Sequence, residues 1–71
     1  MSLFSERLIE MRKCKSLTQK QVAEYLEISE RAYQHYEYGT REPNIETLNK
    51  LAGYFNTSVD YLVGFVPSST V

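Results

Sequence analysis

The chain holds one cysteine, Cys14, and one histidine, His35. One thiol cannot close an internal disulfide, and this pair falls short of the ligand set a structural zinc requires. Cys14 is therefore read as a small, half-buried apolar residue late in a first helix. Neither a metal nor a cofactor is expected. Apolar runs are short as well: nothing approaches the ~18 to 20 residues of a membrane span, and the N-terminus lacks the apolar core of a signal peptide. A reduced, cytoplasmic setting is the expectation. No segment alternates apolar and polar residues long enough to make a strand, and no internal repeat precedes Gly64. Also missing are a nucleophile beside a base, a paired-carboxylate cleft and a phosphate-cradling glycine loop, so no enzyme is expected. Positive charge is scarce too: eight Lys and Arg stand against nine Asp and Glu, for a net charge of −1. That weighs against nucleic acid as a partner unless the cations gather on one face.

What remains is a single domain. A 71-residue chain has one compact core, because a domain near this size buries only about 60% of the surface its unfolded form exposes. Periods of three and four dominate the chain. Phe4, Leu8 and Met11 form a stripe that predicts a first helix over roughly 3–15, with Ile9 off the stripe and exposed. Thr18-Gln19-Lys20-Gln21 is a capping box that opens a second helix with Val22, Ala23 and Leu26 on its apolar face. Ile28-Ser29 interrupts the period, and Ser29 caps a third helix over about 30–38, which buries Tyr33 and Tyr36 and stops at Gly39. After a loop set by Pro43, Asn44 caps a fourth helix with the stripe Ile45, Leu48, Leu51, Ala52 and Phe55. Ser58 caps a short fifth helix carrying Val59, Leu62 and Val63, which Gly64 ends. The domain so drawn is 1–64, followed by a tail, 65–71. Each helix is too short to stand alone in water, so the fold class is all-α, five helices around one core.

Leu17 to Gly39 is the informative span: helix, three-residue turn, helix. Ala23 sits where the two helices approach most closely, and Ile28, Tyr33 and Tyr36 lock the second across the first. Glu30, Arg31, Gln34 and Tyr38, with His35 beside them, fall on the outward side. A short helix presenting hydrogen-bonding groups in this way suits a DNA major groove.

At these residues the chain resembles the lambda-repressor-like helix-turn-helix family of phage repressors and Cro-type regulators. The resemblance rests on Thr18-Gln19 through Leu26, Ile28-Ser29, Tyr36-Glu37-Tyr38-Gly39, Arg41, Pro43, Glu46-Thr47-Leu48 and Ser58-Val59-Asp60-Tyr61-Leu62. It implies sequence-specific binding of double-stranded DNA and a repressor's role. It also implies base contacts from Glu30, Arg31 and His35, with Gln34 as a further contact. Gln19, Thr40 and Arg41 would hold phosphates, with Lys20 added to that set on its charge. Arg12 and Glu37 resemble a largely buried ion pair tying helix one to helix three. Two positions depart from the family pattern. Glu27 stands where a turn glycine is common, which predicts a strained left-handed residue. Glu30 puts an acid at the start of the reading helix, where it either accepts a bond from cytosine N4 or only favours the helix dipole.

One short helix reads too few base pairs, so a two-fold dimer on an inverted repeat is expected. Tyr61, Leu62, Phe65 and Val66 are more apolar than a solvated end requires and are the expected self-association patch. The rival reading is a protein-interaction module of the same fold, such as an antitoxin. Placement of charge separates the two: Lys20, Arg31 and Arg41 must share a face with Gln19 and His35, away from Glu42, Glu46 and Asp60.

Overall fold

Side-chain caps mark where the helices begin. In a computed structural model that describes residues 3–64, Thr18 Oγ1 accepts from the Gln21 amide at 3.0 Å while Gln21 Oε1 accepts from the Thr18 amide at 2.8 Å. Ser29, Asn44 and Ser58 accept in the same manner from the amides of Ala32, Thr47 and Tyr61. Each cap satisfies an N–H that the helix leaves without a partner and is worth about 1 kcal/mol. The elements are α1 (Leu3–Cys14), α2 (Gln19–Leu26), α3 (Glu30–Tyr38), α4 (Ile45–Tyr54) and α5 (Val59–Val63). Every regular element among the described residues is a helix, as expected. The helices α2 and α3 end on left-handed residues, Glu27 (φ 60°) and Gly39 (φ 81°), whose amides bond back into the last turn.

The core is built from Leu8 and Met11 of α1, Val22, Ala23 and Leu26 of α2, Tyr33 and Tyr36 of α3, Leu51, Ala52 and Phe55 around α4, and Tyr61 and Leu62 of α5. Ala23 is almost wholly buried, and α2 packs chiefly on α3. The helix α1 lies against α3 and α5, and α4 against α5 and α2. Ser5 on α1 is fully buried, and its hydroxyl donates to the Tyr36 carbonyl at 2.9 Å, tying α1 to α3. Tyr25 of α2 stacks on Tyr54 of α4, with ring centroids 4.0 Å apart.

Several residues lie where the sequence did not place them. Ile45 is 76% exposed: as the first residue of α4 it precedes the turn that packs, and the inward stripe begins at Leu48. Cys14 is exposed, not half-buried, because α1 ends there, beyond its last core residue, Met11. Ile9 is half-buried. In α5 the phase is rotated: Val63 faces outward and Tyr61 is only 7% exposed. The Tyr61 ring lies under the Arg7 guanidinium, 4.3 Å away, and its hydroxyl donates to Glu10 Oε1 at 2.6 Å. Arg7 also donates to the Tyr61 carbonyl. A phenol can bury its ring and still satisfy its oxygen at the edge of a core. Tyr61 and the fully buried Leu62 are thereby removed from any self-association patch. Phe65 and Val66 lie outside the described residues.

Glu27 carries a cost that can be measured. A left-handed non-glycine residue is strained by about 1 kcal/mol, part of which glycine gives back as unfolded-state entropy. Glu27→Gly is expected to stabilise the domain by about 0.5 kcal/mol and raise its melting temperature by roughly 2 to 4 °C. A thermal melt in which the variant is less stable than the parent would show that the Glu27 side chain contributes more than its backbone costs.

Candidate nucleic-acid interface

A carboxylate buried behind α3 organises this side of the molecule. Glu37 is only 3% exposed, and Arg12, reaching across from α1, is 14% exposed. Glu37 Oε2 accepts from Arg12 Nε at 2.6 Å and from the Tyr33 hydroxyl at 2.5 Å. Its Oε1 accepts from Arg12 Nη2 at 3.3 Å and from Gln19 Nε2 at 2.9 Å. Arg12 Nη1 goes on to the Leu17 carbonyl, 3.0 Å away, so the guanidinium also pins the turn before α2. Gln19 Oε1 in turn accepts from Gln34 Nε2 at 3.0 Å. One connected set of hydrogen bonds thus joins α1, the first residue of α2 and the outer side of α3.

The electrostatics follow from this packing. Burial by itself pushes the Glu37 carboxyl up, but the hydrogen bonds from Arg12, Tyr33 and Gln19, with the charge of Arg12, outweigh it and hold the group below its ordinary value. Burial, reinforced by the bond to Glu37, drives the Tyr33 hydroxyl upward, so it stays a donor. The bond to Glu37 likewise raises Arg12.

The remaining site residues lie around this network. Glu30 and Arg31 are exposed in the first turn of α3, Gln34 and His35 are half-buried one turn on, and Tyr38 is 57% exposed at its end. Lys20 is exposed next to Gln19. In the loop after α3, Thr40 Oγ1 donates to the His35 carbonyl at 3.3 Å and lies 2.8 Å from His35 Nδ1. The two contacts tie the His35 ring to the loop at Thr40. The Arg41 guanidinium lies 5.9 Å from the centre of the Tyr36 ring.

The structure therefore brings Gln19 into contact with Gln34, His35 with Thr40, and Arg12 with Glu37. Lys20, Glu30 and Arg31 make no side-chain hydrogen bond or ion pair with the other site residues. Of the acidic groups named as a discriminator, Glu46 and Asp60 belong to other elements, whereas Glu42 follows Arg41 directly in the loop after α3. Glu42 lines a groove with Leu3, Phe4, Pro43, Leu48 and Val63; Glu46 pairs with Lys50 along α4 at 3.6 Å; Asp60 is in the first turn of α5. Sequence reasoning took Tyr33 for core alone and missed its hydroxyl on Glu37. The spacing of four between the two residues on one helix was the available signal.

Removing Glu37 strands a buried guanidinium. Glu37→Ala is expected to cost about 3 to 5 kcal/mol, read as a drop of ten degrees or more in a thermal melt. The sign of the pH dependence follows from the lowered carboxyl: its stabilisation is complete above the ordinary value of 4.5 and disappears as pH falls through the lower folded-state value. The parent should therefore lose stability below about pH 4.5 more steeply than Glu37→Ala. Parallel pH curves for the two proteins would show that the ion pair contributes nothing to acid sensitivity.

With this geometry in place, the chain's relatives are informative. The helix-turn-helix family matches residues 8–62. A helix-turn-helix transcriptional regulator of Bacillus subtilis, YqaE, is 44% identical over 61 residues, covering 86% of this chain and 53% of its own. The phage repressor RstR of Vibrio cholerae is 33% identical over 61 residues, covering 86% of this chain and 55% of its own. Among solved structures, a transcriptional regulator from Listeria innocua superposes with a TM-score of 0.83 at 40% identity, over 92% of this chain and 61% of that one. The P22 c2 repressor, solved with a synthetic operator, superposes with a TM-score of 0.82 at 30% identity, over 90% of this chain and 97% of that one. The chain spans about half the length of the curated relatives it matches. Those relatives are transcriptional regulators, which bears out the expectation that this is not an enzyme. The chain belongs to the lambda-repressor-like helix-turn-helix family of transcriptional regulators.

Proposed function

We propose that this domain binds a specific double-stranded DNA operator by inserting α3 into the major groove, and that it represses transcription as a two-fold dimer on an inverted repeat. The observation that carries the proposal is the bond between Gln19 and Gln34. It makes the start of α2 and the outward side of α3 one continuous polar surface, in a chain that superposes on a repressor solved with its operator. In this reading Glu30, Arg31, Gln34 and His35 reach base edges. Gln19, Lys20, Thr40 and Arg41 hold phosphates. An acidic chain can do this because its cations on that surface act locally while Glu46 and Asp60 sit on other elements. In this reading residues 1–64 form the DNA-binding domain and 65–71 a tail, and the setting is the cytoplasm. The copies meet through the end of α5 and the tail, where Val63 is exposed and Phe65 and Val66 follow. Tyr61 and Leu62 belong to the core.

Selection of bound sequences from a random duplex pool tests the proposal. Enrichment of one sequence, with binding that weakens as salt rises, is the expected result. Failure to bind any duplex would favour a protein-interaction module. On the selected operator Arg31→Ala should cost about 1 to 3 kcal/mol and relax one base pair, whereas Arg41→Ala should weaken all sequences alike. Equal loss on specific and non-specific DNA for Arg31→Ala would move Arg31 to the phosphate-binding set.

The dimer is tested separately. The operator should be an inverted repeat with half-sites centred about 34 Å apart, or a multiple of that. Phe65→Asp should weaken operator binding and make it steeper in protein concentration. A footprint on one unsymmetrical half-site, bound at full affinity by a monomer, would exclude this arrangement.

A further inference from the structure

The hydrogen bonds behind α3 run in one direction. Arg12 has only donors to offer, and ionised Glu37 only acceptors. Glu37 receives Arg12 Nε and Nη2, the Tyr33 hydroxyl and Gln19. Gln19 must meet it with the amine end of its amide, because a carbonyl there would face a carboxylate. The other end of that amide is then an oxygen, and it accepts from Gln34 Nε2 at 3.0 Å. The Gln34 amine is thereby turned toward Gln19, and its Oε1 bonds to no other described residue. Turning the Gln34 amide over would set oxygen against oxygen at Gln19. Turning Gln19 over as well would set oxygen against Glu37. The buried ion pair therefore decides which end of a half-exposed side chain, two residues away in the relay, is left for a ligand.

We infer that Gln34 is a specificity-determining hydrogen-bond acceptor, oriented through Gln19 by the Arg12–Glu37 pair, and that it takes a bond from an exocyclic amine of the operator, adenine N6 or cytosine N4. The inference rests on the proposed entry of α3 into the major groove. Guanine and thymine present only acceptors on that edge, O6 and N7 or O4, and are disfavoured opposite this oxygen. Gln34 Nε2 keeps a second hydrogen, so adenine, with N7 next to its amine, can engage both atoms, while cytosine engages the oxygen alone. Glu30 lies four residues earlier, on the same face of α3, and its carboxylate only accepts. Amine-bearing bases are therefore favoured at neighbouring positions of one half-site.

The test is duplex selection with the parent and three variants. For Gln34→Ala, preference should disappear at one position, and in the parent that position should carry adenine or cytosine on the strand read. Gln34→Lys, which can only donate, should shift it toward guanine. Gln19→Met keeps Gln34 but frees its amide, so guanine or thymine should become tolerated there. On the parent's operator, replacing the amine by hydrogen should weaken binding about tenfold and leave Gln34→Ala unaffected. The replacement is purine for adenine or 2-pyrimidinone for cytosine, and the one that acts identifies the base. Guanine or thymine at the position sensitive to Gln34, or an unchanged selection with Gln34→Ala, overturns the assignment. An unchanged choice with Gln19→Met overturns the relay. A parent chain that enriches no duplex removes the DNA reading and this inference with it.

Discussion

A carboxylate with only 3% of its side chain exposed cannot remain ionised without partners, and Glu37 draws four donors from three elements to meet that demand. Burying a charge is costly, and attraction to Arg12 offsets the cost only because the remaining lone pairs are also filled. The Tyr33 hydroxyl and the Gln19 amide fill them. The demand of one atom pair thus sets the position of α1 against α3, the start of α2, and the turn held by Arg12 at the Leu17 carbonyl. Apolar packing at Leu8, Val22, Tyr33 and Leu51 supplies the bulk of the stabilisation, but it is not directional. The polar set supplies the direction.

That arrangement joins scaffold and surface. Gln19 spends one end of its amide on the buried acid and the other on Gln34, so the outward side of α3 inherits a hydrogen-bond polarity decided in the interior. The loop side works on the same principle at smaller scale, where Thr40 constrains the His35 ring. A small domain has few residues to hold a reading surface rigid, and sharing them between the core and the surface is one way to limit the conformational freedom lost on binding.

Much of the fold was legible in the sequence, and for identifiable reasons. Caps at Thr18, Ser29, Asn44 and Ser58 are local signals that need no knowledge of the rest of the chain, and all four begin helices. The left-handed Glu27 was legible through the family resemblance, which places a turn glycine at that position. Legibility failed where helices end or are short. Ile45 has the right spacing for the stripe of α4, but nothing packs on the first residue of that helix. Five residues of α5 cannot fix a helical phase, so the inward turn of Tyr61 could not be seen until Arg7 and Glu10 were placed beside it.

The sequence by itself determined which segments are helical, where they start and which residues stand outward on α3, because these follow from nearest-neighbour chemistry and a 3.6-residue period. The capping box put Gln19 at the start of α2, and the family resemblance added Arg12 with Glu37 as a pair. Only the tertiary structure decided that Gln19 would lie between Glu37 and Gln34, that Ser5 would bond to the Tyr36 carbonyl, and that Tyr61 would belong to the core. These contacts join residues 15 to 54 positions apart in the chain. A hydrogen bond across such a separation depends on distances and angles that only the packed helices define, and no local pattern in the sequence carries them.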